Sequence, residues 1–180
     1  MSNAAVTTRT LKGALAGGVA AVAWASQQPL DKLIFRCRYD DVELLGRAVR
    51  PGGPGWYRIG LVIHAQNGAL FGALYANIAP GLPVPPALRG PAAGLAEMFA
   101  TWPLAGLSDR FHPARHQLPV LSGNRRAFAQ AFWRHLLFGY LLGELEARLN
   151  ASDGVPPGPP PDYASNGHGS LERAVSAVRD

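Results

Sequence analysis

The sequence predicts an all-α integral membrane protein: a four-helix bundle made of two repeated helical hairpins, followed by a disordered C-terminal tail. Three observations predict it. Charged residues are 16% of the chain beside 48% hydrophobic ones, well under the roughly one quarter typical of soluble domains. Four apolar stretches, 13–30, 58–79, 87–107 and 127–147, each approach the ~20 residues that cross a hydrocarbon layer ~30 Å thick. Each stretch also contains a Gly-x-x-x-Gly.

The first stretch opens with Leu11-Lys12-Gly13 and carries Gly13 and Gly17. Arg9, Lys12, the apolar run and Ala23-Trp24-Ala25 also fit a signal peptide with its cleavage site. The third stretch opens in the same way, with Leu88-Arg89-Gly90 and Gly94, and it cannot be a signal. The first is therefore expected to be a retained helix. The second and fourth stretches match each other too: His64, Gly68, Gly72 and Ala76 recur as His135, Gly139, Gly143 and Ala147 at identical spacing. Two like hairpins in one orientation are expected to pack around a pseudo-two-fold axis along the membrane normal. In lipid, such small-residue ridges permit the close backbone approach that drives helix association. In a water-soluble helix each glycine would cost roughly 0.8–1 kcal/mol relative to alanine.

Between the first two stretches, Val42, Leu44, Leu45, Ala48 and Val49 form an amphipathic piece that can lie in the membrane interface, ended by Pro51-Gly52-Gly53-Pro54-Gly55. From residue 151 the Pro/Gly-rich tail is expected to be disordered, leaving 1–150 as the transmembrane domain. Lys and Arg gather in the first and third connections (Lys32, Arg36, Arg38, Arg47, Arg50, Arg58, Arg110, Arg115, Arg125, Arg126). Only Arg9, Lys12, Arg89 and Arg148 lie close to the helices on the other side. The positive-inside rule then puts those connections in the cytoplasm and both termini outside. The formal charge of +5 is thus topological; no basic stripe interleaved with aromatics points to nucleic acid. The single Cys37 excludes a disulfide framework and any multi-cysteine metal site.

Pro29-Leu30 at the end of the first helix, Pro103-Leu104-x-Gly106-Leu107 at the end of the third and His135-Leu136 in the fourth resemble the YagU-like family of bacterial inner-membrane proteins. The resemblance covers the helices, and neither the basic connection nor the tail. It implies a small multi-pass protein of the bacterial cytoplasmic membrane with a cytoplasmic N-terminus, opposite to the orientation that the charge count gives.

Ionisable groups within a membrane are functional candidates by default. His64 lies seven residues beyond Tyr57 and His135 nine beyond Arg126, so both imidazoles are expected roughly 10–14 Å from the same face. Glu97 is roughly 15 Å from that face, and Gln28 and Asn67 belong to the same half. The expected cluster is His64, His135, Glu97, Asn67 and Gln28, with Arg134 as counter-charge for Glu97. Such a cluster can relay protons, ligate haem or a metal through the imidazoles and Glu97, bind the polar head of a lipid-like ligand, or simply tie helices together at about 0.6 kcal/mol per hydrogen bond.

A weaker metal constellation is Asp109, His112 and His116, whose spacing can put all three on one helical face. Trp24, Trp102 and Trp133 read as packing or interface residues. No phosphate loop, serine elbow or cysteine–histidine pair is present, so neither an enzyme nor a resident cofactor is expected. The function classes left open are transport-related, lipid-associated or accessory roles, with lipids, a second copy or a larger membrane complex as partners. Haem or metal redox chemistry at His64 and His135 is the alternative.

Overall fold

The computed structural model describes residues 3–151; the predicted tail beyond 151 lies outside them. The described residues are all helical or connecting, with no strand among them. The helices are α1 Asn3–Phe35, α2 Asp41–Val49, α3 Trp56–Ile78, α4 Pro86–Thr101, α5 Ala105–Phe111 and α6 Arg125–Ala151. α1 continues through Pro29 rather than ending there, although a proline inside a helix removes a backbone hydrogen bond. Immediately beyond it, Asp31 is anchored by α6 as described below. α1 stops only at Arg36, which takes a left-handed conformation (φ 51°), while the Cys37 N–H returns to the Lys32 carbonyl. The third apolar stretch is interrupted: α4 gives way to a 3-10 turn over Trp102–Leu104 that contains Pro103, and α5 follows. Asn124 caps α6, its side-chain oxygen accepting from the Arg126 and Ala127 amides.

The long helices pack laterally in the order α3, α1, α6, α4. Neighbours run antiparallel: Gly13 lies beside Gly72 and Gly17 beside Gly68, while Gly90 lies beside Gly139 and Gly94 beside His135. All eight ridge glycines therefore stand at helix contacts, and they join α1 to α3 and α4 to α6 as the repeat predicts. The match is not perfect. By the sequence repeat Gly94 should face Gly139 and Gly143, as Gly17 faces Gly68 and Gly72, yet it faces His135 and Gly139. The second pair has slipped by one helical turn, about 5.4 Å, which brings the His135 backbone into the seam.

A further glycine contact escaped the sequence reading. Added methyl groups at Gly46 and Gly60 would collide with the Trp56 and Val42 carbonyl oxygens respectively. α2 is thus docked on the first turns of α3 and does not lie free as an amphipathic helix. Its N-terminus is capped by Asp40, which accepts from the Glu43 amide at 2.8 Å.

Charge burial and apolar exposure are inverted relative to a water-soluble domain. Arg134 and Asp31 are 0% exposed, whereas Leu11 is 66%, Val62 65% and Leu70 64% exposed. By length and apolarity together, only the helical segment Trp56–Gly81 qualifies as a membrane span among the described residues. The other three stretches fall short for identifiable reasons: Gln27 and Gln28 dilute α1, Glu97 and the break at Pro103 divide the third, and Gln130, Arg134 and His135 interrupt α6.

Candidate functional site

At one end of the helices a charged network is built from α1, the following connection, α2 and α6. The Arg134 guanidinium grips Asp31 in a bidentate pair, with Nε and Nη2 each 2.6 Å from a carboxylate oxygen. Its Nη1 donates to Asp41 at 2.7 Å and Nη2 also to the Tyr39 carbonyl at 3.0 Å. Asp31 receives two more donors, from Gln130 and Gln27, each at 2.6 Å. Tyr39 donates its hydroxyl to Asp41 and lays its ring under the guanidinium. One cation, two carboxylates and their neutral donors form a nearly saturated set, the condition under which buried charge is tolerated.

Arg134 is therefore not the counter-charge of Glu97. It reaches toward the connection, because residues 36–41 fold back under the ends of α1 and α6 and deliver Asp41 to it. Gln28 also belongs here, not with the histidines. With its amide nitrogen turned toward Asp40, it donates to both carboxylate oxygens at 2.9 and 3.1 Å, and Lys32 pairs with the same group.

Burial, the largest single influence, pushes the Asp41 carboxyl up, but the Arg134 guanidinium, the two imidazoles and the Tyr39 hydrogen bond together outweigh it and hold the group below its ordinary 3.8. A depressed carboxyl contributes stability that is present above its unfolded value and lost as pH falls through the folded one. Melting temperatures of the solubilised protein should accordingly decline below about pH 4. Asp41→Asn should flatten that decline while lowering stability at neutral pH. An equally steep acid limb in the variant would contradict this. The Tyr39 hydroxyl is displaced well above its ordinary value, by burial first and the adjacent Asp41 second, and stays protonated as the donor to that carboxylate.

Deeper along the helices, Trp24 of α1 stands between the two imidazoles. Its ring meets His64 edge-on with centroids 4.9 Å apart and His135 at 4.6 Å. The histidines share a level, as expected, but the indole separates them. Within the expected cluster, His135 pairs with Glu97, Nε2 to carboxylate oxygen at 2.8 Å. The other His135 nitrogen lies 2.7 Å from the Ala131 carbonyl, which can only accept, so Nδ1 carries a hydrogen. The contact to Glu97 then requires a second proton, residing on the imidazole or on the carboxyl. Both nitrogens of His135 are thereby engaged, and His64 lies across Trp24, an arrangement that does not favour a shared metal or haem iron. Among the described residues no three His, Cys, Asp or Glu side chains gather to hold a metal.

These groups line a cavity of about 420 Å³, within the ~300–1,000 Å³ range of small-molecule sites. Its walls come from α1 (Trp24), α2 (Leu44, Leu45), α3 (His64, Asn67, Phe71), α4 (Glu97, Met98, Thr101), the Pro103 turn with α5, and α6 (His135, Phe138). α3 and α4 are the outer members of the row and are not packed on each other, so the cavity lies between them. Asn67 is exposed and the Glu97 side chain is 33% exposed. Two buried atoms in the walls have no hydrogen-bond partner among the described residues: Trp24 Nε1 and His64 Nε2.

The Asp109, His112 and His116 constellation is not assembled. Asp109 accepts from the Leu121 and Ser122 amides at 2.9 and 2.7 Å, and His112 bridges the Leu44 carbonyl and the Ala114 amide. His116 is exposed. These residues close the third connection onto α2. Asp31, Tyr39, Asp41 and Gln130 were missed by the sequence reading. The available signal was an unmatched arginine inside an apolar stretch, which demands carboxylates, together with the alignment of Asp31 on one helical face with Trp24 and Gln28.

No family model matches this chain, and neither a curated protein nor a solved structure shows significant similarity to it.

Proposed function

We propose that this chain is a multi-pass protein of a bacterial inner membrane. α1, α3, the interrupted α4–α5 segment and α6 cross the bilayer as a four-helix bundle, and the cavity between α3 and α4 holds a proton-exchanging His135–Glu97 pair. The observation that carries the membrane assignment is the inversion of polarity: Arg134, Asp31 and Gln130 are fully buried while Leu11, Val62 and Leu70 face outward. In water such an exterior would favour association or aggregation; in lipid it is the expected one. Glycine seams in place of an interdigitated leucine core support the same reading.

Proton handling rests on the hydrogen-bond count at His135. Because Nδ1 gives its hydrogen to the Ala131 carbonyl, the Nε2 contact with Glu97 holds one proton, shared over 2.8 Å and partly open to the cavity. Releasing that proton leaves a carboxylate facing a lone pair, and rebinding restores the pair. A transport-related or lipid-associated role fits such a site.

In proteoliposomes carrying an internal pH reporter, the wild-type chain should dissipate an imposed pH gradient. Glu97→Gln keeps the size and a hydrogen bond to His135 but loses the exchangeable proton, and should fall to the level of empty vesicles. Unchanged flux in Glu97→Gln would overturn proton handling.

A further inference from the structure

We propose that the cavity between α3 and α4 binds a neutral, hydroxyl-bearing membrane amphiphile, its hydroxyl set against the Trp24 and His64 side of the lining and its chain along the apolar wall. The inference deepens the proposed function and rests on the membrane reading given there.

The polar end selects the head group. His64 is 93% buried, being 7% exposed, and its Nε2 has no partner among the described residues. The same imidazole is hydrogen-bonded to the Ala21 backbone. Since Nε2 is without a partner, the nitrogen left to donate to that carbonyl is Nδ1, which makes Nε2 an acceptor in the neutral ring. Trp24 Nε1, also buried without a partner among the described residues, is a donor only. A hydroxyl can supply what each lacks, a hydrogen for His64 and a lone pair for Trp24, whereas a ketone or ether oxygen can only accept. Groups of this kind left unpaired in a low-dielectric site are costly, and a site built around them discriminates strongly against analogues lacking the hydrogen.

Charge excludes the other heads. No Lys or Arg is among the lining residues, and Arg134, bonded to the lining residue Asp41, is already consumed by it and Asp31, so no free cation compensates a phosphate or a carboxylate. The anionic groups in the walls are equally committed, Asp41 to Arg134 and Glu97 to His135, which leaves no free partner for an ammonium. Phe71, Phe138, Met98, Leu45 and Leu104 supply the apolar wall, and the unpacked flank between α3 and α4 gives a chain its route in from lipid. Diacylglycerols and polyprenols share this chemistry.

The test uses the full chain, first shown to sediment with membranes and then placed in nanodiscs. Binding of dioctanoylglycerol, geranylgeraniol, the methyl ether of each, and decanoate is followed by calorimetry at neutral pH. Saturable binding is expected for at least one alcohol, and which one binds distinguishes the two sources. Its methyl ether and decanoate should bind about tenfold more weakly or less, the loss of one buried hydrogen bond. His64→Leu should weaken the alcohol by a similar factor, and His64→Gln should recover part of it. Ala105→Trp, at the cavity wall, should abolish binding without altering the elution volume in size exclusion. Arg148→Ala, at an exposed position far along α6, should change nothing. Absence of saturable alcohol binding, equal binding of the ether, or an unchanged His64→Leu would overturn the proposal while leaving the membrane reading intact. Failure to sediment with membranes would remove both.

Discussion

Arg134→Ala is expected to be the most damaging single substitution in the chain, reducing accumulation of folded protein to near background. The guanidinium satisfies Asp31 and Asp41 together, and Asp31 is fully buried. Removing one partner of a buried ion set strands the others, at a cost of about 3–5 kcal/mol, a large share of typical total stability. Arg134→Lys should rescue poorly, since an ammonium cannot reproduce the planar fork that grips both Asp31 oxygens while reaching Asp41. Removing the charges together should do better than removing one: Arg134→Met with Asp31→Leu and Asp41→Asn should regain part of the loss. Melting curves read by fluorescence-detected size exclusion decide it. Arg134→Ala melting within a degree or two of wild type would show that the network contributes little.

The second large effect belongs to the glycine seams. A side chain at Gly17 would overlap the Gly68 carbonyl oxygen, and one at Gly90 the Gly139 carbonyl oxygen. Backbone on both sides leaves nothing flexible to give way. Gly17→Leu and Gly90→Leu should each force a helix pair apart, costing about 3 kcal/mol or more. The control is one residue away: a methyl group at Gly18 would make ordinary contact, 3.7 Å from Ala65 and Ala69. Gly18→Ala should be neutral or slightly stabilising through helix propensity. If Gly17→Leu were as mild as Gly18→Ala, the seam would not hold α1 to α3.

Both effects show which parts of the fold were readable in advance. The ridge at Gly13, Gly17, Gly68 and Gly72, and its counterpart in the other pair, follow from four-residue spacing, because helical geometry alone puts such residues on one face. The common level of His64 and His135 followed from rise per residue, whereas the partner of Glu97 is His135 and not Arg134. Partners across a chain reversal were less accessible. Asp41 meets Arg134 only because residues 36–41 turn back beneath α6, and Gly46 meets Gly60 only because the Pro51–Gly55 turn folds α2 onto α3. Trp24 separating the histidines is likewise a matter of which helix lies between which. α1 sits between α3 and α6 in the row, an ordering that no periodicity within one helix encodes.

Asp109 illustrates the opposite error. Its spacing to His112 and His116 looked like a ligand set, yet the carboxylate closes the turn at Leu121 and Ser122. Those amides lie 12 and 13 residues further along the chain, so this contact too depends on how the connection folds back.

The most direct test of the account is whether hydrocarbon or water surrounds these helices. Broken cells would be washed with alkaline carbonate and spun at high speed without detergent. The account predicts that the chain stays in the pellet and is released only when detergent is added. Recovery in the carbonate supernatant would contradict it, and the exposed Leu11, Val62 and Leu70 would then have to be covered by protein.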